Sequence, residues 1–155
     1  MLWKIVTEIL NHHLTAVIQF HDALHDLCTG RGARTSSLKF NLIQKLMAMR
    51  DYVLYEIFLY FHKVYYTMDR GHCLNVLTLY VIDSQDLRLL QSYWDYLSMV
   101  ACYGGLFRGP FKLQSGMTQE DPLSPTIVNV VLDVVIRHLV SLLLEEDGLV
   151  GPESF

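Results

Sequence analysis

A chain of 155 residues has room for one domain with a real core. Apolar residues make up 52% and charged residues 18%, which excludes an intrinsically disordered chain. The net charge of −4 argues against a strong general nucleic-acid binder, whose affinity comes from neutralising phosphates, and leaves room only for a local basic groove.

Three cysteines, Cys28, Cys73 and Cys102, with no Cys-x-x-Cys, read as reduced thiols; Cys73 and Cys102 lie in apolar patterns and read as small buried hydrophobes. The start, Met1-Leu2-Trp3-Lys4, lacks the basic and apolar blocks of a signal peptide. The greasiest stretch, 126–144, contains Asp133, Arg137 and His138. A central Asp or Arg costs about 2.5–3.5 kcal/mol on membrane insertion, so the expectation is a buried helix and no membrane partner. The expected location is intracellular, in cytoplasm or nucleus.

In chain order, residues 2–18 read as a helix, with Trp3, Ile5, Val6, Ile9, Leu10, Leu14 and Val17 recurring at three- and four-residue steps. A loop at 29–34 follows. Thr35-Ser36-Ser37 is then a cap for a second helix to about Arg50, with Leu38, Leu42, Leu46 and Met49 as its core stripe. Residues 53–61 are rich in aromatic and β-branched side chains and read as a strand buried on both faces. Its tyrosines are expected in the core. Asp69 begins another helix with Cys73, Leu74, Val76, Leu77 and Tyr80 on its apolar side. Ser84-Gln85-Asp86 caps the next, which reaches Leu97 through Leu87, Leu90 and Trp94. Residues 99–113 around Gly104-Gly105 read as a hairpin. The last helix spans about 125–145, with Ser124 as cap and Pro125 in its first position. Asn129, Asp133, Arg137 and Ser141 form one narrow wet ridge along it, with Asp133 and Arg137 as an i,i+4 pair. The tail, 146–155, is read as frayed.

The segment Gly116-Met117-Thr118-Gln119-Glu120-Asp121-Pro122-Leu123-Ser124-Pro125 resembles the Gly-x-x-Gln-Gly-Asp-Pro-Leu-Ser-Pro loop of reverse transcriptases of the retrotransposon and group II intron type. Ile9-Leu10-Asn11-His12-His13-Leu14 looks like the family's Leu-Asn-x-x-Leu helix, and 24–35, centred on Gly30-Arg31, like its fingers segment. Residues 59–69 look like the first palm motif, a strand followed by Asp-x-x-Lys-Ala-(Phe/Tyr)-Asp, and 94–111 like the helix and hairpin before the loop. The resemblance covers about residues 2–139. It implies an α/β (α+β) fold, helix-rich with a small antiparallel sheet: partial fingers over about 1–50 and an incomplete palm over 51–145.

The resemblance implies an RNA-directed DNA polymerase, which transfers a phosphoryl group with two divalent metal ions held on carboxylates. Here Tyr60 and Tyr66 occupy the positions of the family's acids. A phenol with a pKa near ~10 is neutral at pH 7 and does not replace a bridging carboxylate. Glu120 stands where the loop has Gly, and the later Tyr/Phe-x-Asp-Asp turn is absent. The expectation is a degenerate, catalytically inactive relative with no functional Mg²⁺ site. Asp to Tyr, Gly to Glu, and the apparent changes at Asp26 and Cys28 each need one base change, the pattern of a decayed retroelement reading frame.

What the resemblance leaves for template or nucleotide binding is Gln119, Gly116, Asp121, Pro122, Ser124, Lys63 and Arg31, set against plain readings as a capping loop and a solvated arginine. The implied partners are RNA or DNA, weakly, and a second copy joined at the open edge of the 53–61 strand. Competing readings are a non-catalytic nucleic-acid- or protein-binding module and a relic with no selected role. His21, His25 and Cys28 have metal-ligand spacing but lack a fourth donor, so they read as ordinary surface or half-buried groups.

Overall fold

The computed structural model describes residues 2–24, 31–56, 58 and 60–147. Six helices and one hairpin follow in order: α1 (Leu2–Val17), α2 (Ala33–Met49), α3 (Val64–Thr67), α4 (Arg70–Leu77), α5 (Ser84–Tyr96), β1 (Ser98–Tyr103), β2 (Leu106–Lys112) and α6 (Leu123–Asp147). The class is α+β, helix-rich, with a small antiparallel sheet of two strands.

The core lies where α1, α4 and α5 meet the N-terminal half of α6. Leu10 and Leu14 of α1, Cys73 and Leu77 of α4, and Leu90 and Trp94 of α5 close on Leu123, Ile127 and Val130 of α6. The expected apolar sides of α4 and α5 are the ones buried, and Tyr93 joins them. The side of α1 is narrower than its pattern implies: Trp3, Ile5, Ile9 and Val17 are exposed, while Thr7 is buried and returns its hydroxyl to the carbonyls of Trp3 and Lys4. Two polar contacts fix α1 against its neighbours. Thr126 Oγ1 donates to Asn11 Oδ1 at 2.5 Å, and His13 Nδ1 lies 3.2 Å from Asp86 on α5.

α6 is a helix despite its valines, because core packing outweighs the modest χ1 restriction of β-branched residues. It is also the one described helix long and apolar enough to cross a membrane, over Leu123–Leu143, and a third of that stretch is buried. The expectation of a buried helix therefore holds only for its first half; Val135, Leu139, Leu142 and Leu143 face outward. The wet ridge is corrected in the opposite sense. Asn129 and Asp133 are buried, and only Arg137 and Ser141 are open to water. Helix α6 continues through Glu146 and Asp147, two residues read as tail; residues 148–155 lie outside the described residues.

The hairpin matches its expectation. Gly104 and Gly105 both have positive φ, 57° and 79°, as a two-residue turn between right-twisted strands requires. Tyr103 pairs with Leu106 and Ser98 with Lys112, and the register shifts between Met99 and Ala101. Both strands are exposed along their whole length, so Cys102 is an exposed thiol and not a buried one.

The 53–61 strand is not formed. Residues 52–56, 58, 60 and 61 make no strand and are exposed, Tyr60 at 88% and Tyr55 at 89%. A strand needs a neighbour to take its amide and carbonyl groups, and no third strand is present among the described residues. Apolar content alone could not create one. The open edge expected on that strand is absent with it; the open edges belong to β1 and β2. The same segment runs back along α2, where Gln44 Nε2 donates to Glu56 Oε1 at 2.7 Å and the Phe40 and Phe58 rings meet edge to face at 5.9 Å. α2 itself starts after Gly32 with no side-chain cap and buries none of its residues, so the Leu38–Met49 stripe is an outer surface and not a core face.

Candidate functional site

The 116–125 loop returns to the segment 63–70, so two of the stretches that carry the resemblance are neighbours. Lys63 adopts a left-handed backbone (φ 49°) that turns the chain into the short α3, and its carbonyl accepts the Tyr66 N–H at 2.8 Å. The loop closes on this turn through two backbone hydrogen bonds, Gly116 N–H to Met68 O at 2.9 Å and Met117 N–H to Tyr65 O at 2.6 Å.

Gly116 makes that approach feasible. Its φ is +74°, and a Cβ would sit 2.7 Å from the Tyr66 carbonyl oxygen and 2.8 Å from that of Tyr65. Only a residue without a side chain satisfies both the angle and the clearance. Met117 then enters the core.

Arg70 ties the same junction from below. Its Nε donates to Gly116 O at 2.9 Å, and its Nη1 donates to Leu113 O at 2.7 Å and Trp94 O at 3.1 Å. One guanidinium thus joins α4, the end of α5, the strand exit and the loop. Burial pushes its pKa down, against the pull of Tyr93 and Asp95, and the guanidinium stays charged. Its carbon lies 6.0 Å from the centre of the Trp94 ring. Nη2 is buried without a hydrogen-bond partner among the described residues, a donor left over from a three-carbonyl clamp.

Two of the acids nearby, Asp69 and Asp121, are committed to capping. Asp69 caps α4, its Oδ1 accepting the His72 N–H at 2.6 Å, as its place before the helix implies. Asp121, and not Ser124, caps the start of α6: Oδ1 accepts the N–H of Leu123, the first helical residue, at 3.1 Å, and Pro122 lies between them. Ser124 is buried and donates its backbone N–H to Asp121 O at 3.1 Å. The other Asp121 oxygen accepts the Tyr93 hydroxyl at 2.5 Å. Burial, then this carboxylate, pushes the Tyr93 phenol well above its ordinary range. Asp83 likewise replaces Ser84 as the cap of α5, accepting the Gln85 N–H at 2.7 Å.

The side chains facing water at this junction are Lys63, Tyr66, Gln119 and Glu120. Tyr66 Oη donates to Gln119 Oε1 at 3.4 Å, joining α3 to the loop. Tyr60 stands apart, its ring 6.4 Å from that of His62. Among the described residues, no three His, Cys, Asp or Glu side chains are placed to share a metal ion. Of the three residues with metal-ligand spacing, His21, His25 and Cys28, the last two lie outside the described residues, and His21 Nδ1 accepts the Ala23 N–H at 3.1 Å.

Arg31 is not part of this junction. It turns back on the preceding segment, donating to Asp22 at 2.5 Å and to the carbonyls of His21 and Leu24 at 3.1 and 3.2 Å. A second polar cluster fixes that segment to α6. Asp133, with no exposure, accepts from the His21 N–H at 2.5 Å, Tyr80 Oη at 2.7 Å and Arg137 Nε at 2.7 Å, while Arg137 Nη2 reaches Gln19 O at 2.9 Å. Burial alone would raise the Asp133 pKa; the hydrogen bonds from Arg137, His21 and Tyr80 outweigh it and hold the carboxyl below its usual value. Sequence reasoning identified the Asp133–Arg137 pair but missed Tyr80, Tyr93 and the clamp role of Arg70. A tyrosine within a helix pattern gives no signal of which distant carboxylate it will reach.

Comparison of the chain with protein-family models, with curated proteins and with solved structures returns no match.

Proposed function

We propose that this chain is a reverse-transcriptase-like fragment, derived from a retroelement RNA-directed DNA polymerase, that no longer catalyses nucleotide transfer. The observation that carries the reading is the docking of Gly116-Met117 onto Tyr65–Met68, with Arg70 holding the Gly116 carbonyl. On this reading the two stretches correspond to motifs that a polymerase palm brings together. Inactivity rests on the donor chemistry: Tyr60 and Tyr66 are exposed phenols at the positions where the family needs carboxylates. Lys63 and Gln119 then form the remaining contact surface for a nucleic-acid backbone, a weak one beside Glu120.

The test is a template–primer duplex titrated at rising salt, followed by primer extension with Mg²⁺ or Mn²⁺. Weak, salt-dependent binding reduced by Lys63→Ala, with no extension, agrees with the reading. Template-dependent synthesis refutes inactivity, and absence of binding at low salt refutes the nucleic-acid contact. Arg31→Ala should act mainly on stability, because the side chain is engaged internally.

The hairpin favours a second reading, self-association. Two-stranded sheets are marginal in water, and here Met99, Val100, Phe107 and Phe111 are exposed beside two unpaired edges. Light scattering at micromolar concentration should show a species larger than the monomer; a clean monomer rejects it.

A further inference from the structure

Helix α2 has a surface that the polymerase-like reading does not use. Leu38, Leu42, Leu46 and Met49 recur at four-, four- and three-residue steps, so they form one stripe along the helix. All four are exposed, Leu38 at 69% and Met49 at 83%. The opposite side is the one the protein covers, where Gln44 meets Glu56 and Phe40 meets Phe58. The stripe therefore points away from the rest of the molecule.

Its margins are cationic. Arg34 and Lys45, three turns apart, border one side; Lys39 and Arg50, also three turns apart, border the other. None of the four has an ion-pair partner among the described residues. Residues 31–50 contain five cations, with Arg31, and no acid, leaving seven of the chain's 12 cations beside all 16 of its acids. In a protein of net charge −4, this helix carries Arg34, Lys39 and Lys45, with Arg50 at its C-cap, and no acid.

We propose that α2 is a membrane-surface helix that lies on an anionic bilayer, inserting the Leu38–Leu42–Leu46–Met49 stripe between headgroups. An aliphatic stripe bordered on both sides by long basic side chains matches the boundary between acyl chains and acidic headgroups. The aliphatic stems of Lys and Arg cover the margin of the stripe and their charges reach the headgroups. A nucleic acid would pair with the cations but has no use for four large aliphatic side chains. The inference is independent of the polymerase-like reading, because it concerns a different surface and a different ligand.

The experiment is co-sedimentation of the full chain with phosphatidylcholine vesicles and with vesicles that also contain phosphatidylserine. Binding is expected to the anionic vesicles and to fall with salt. Lys39→Ser and Lys45→Ser should each weaken it about five-fold, the effect of one cation at such a surface. Leu42→Ser with Leu46→Ser should abolish it. Far-UV circular dichroism should be unchanged, since no residue of α2 is buried. Equal partition into both vesicles overturns the proposal. So does binding that survives the double leucine variant, which would mean charge alone or contact elsewhere. A dimer that the leucine variant dissolves, with no vesicle binding, assigns the stripe to a second copy and overturns it as well.

Discussion

Gly116→Ala is the sharpest probe of the junction. At φ +74°, alanine meets the left-handed penalty of roughly 1–2 kcal/mol. Its Cβ would also stand 2.7 and 2.8 Å from two carbonyl oxygens, closer than real Cβ contacts come. Both oxygens belong to backbone, so no side chain can swing aside and the loop must retreat. Retreat stretches the Gly116–Met68 and Met117–Tyr65 hydrogen bonds, each contributing about 0.5–1.5 kcal/mol. The expected destabilisation is about 2–5 kcal/mol, a large part of the roughly 5–15 kcal/mol available to a domain. Urea unfolding followed by circular dichroism measures it, with an unchanged m-value showing that the compactness of the end states is preserved. Gly105→Ala is the control: its φ is +79°, yet nothing lies within 4 Å of the added carbon. If Gly116→Ala is no worse than Gly105→Ala, the close-approach argument is wrong.

Three further outcomes are expected. Asp133→Ala leaves Arg137, Tyr80 and the His21 N–H without their acceptor and should destabilise by about 2–4 kcal/mol. Because the folded carboxyl is held below its ordinary value of 3.8, its contribution is present above that value and lost as pH falls through the depressed folded value. Thermal melts of wild type and Asp133→Asn should therefore converge in acid; parallel curves would refute the linkage. The phenols of Tyr80 and Tyr93 are raised by burial first and then by Asp133 and Asp121. The neutral phenols thus contribute stability below their ordinary value of 10 that fades as pH climbs toward the raised one. In an ultraviolet titration these two should ionise after the other tyrosines or only with unfolding, and a single transition near 10 would count against them. In a Cys28→Ser background, Cys102 should react rapidly with a thiol reagent. Cys73, buried and pushed up to about 12 by burial and then by Asp69, should react only on unfolding.

Local chemistry was readable in advance. The three- and four-residue periods of α4 and α5, the Asp69 cap and the Gly104-Gly105 turn all close their own hydrogen bonds within a few residues. Caps were misplaced by a residue or more at Asp83 and Asp121, where an aspartate ahead of the expected serine takes the N–H. Both residue types suit the position, and propensity does not rank one serine against one aspartate. The two halves of the candidate junction were each visible as strings; their contact was not, and it shows only where the Gly116 amide meets the Met68 carbonyl.

By itself, then, the sequence determined helix periods and the hairpin turn. Tertiary structure alone decided which apolar faces find a neighbour. The 53–61 run had strand composition, yet its described residues pair with no strand and are exposed. The Leu38–Met49 stripe looked like core and faces outward, while Asn129 and Asp133 looked wet and lie buried, Asp133 under Tyr80 and the chain around His21. The physical reason is the range of the interactions. Helix and turn hydrogen bonds join residues close in sequence, whereas burial, strand pairing and the satisfaction of a buried carboxylate depend on groups a hundred residues away, as His21 is from Asp133.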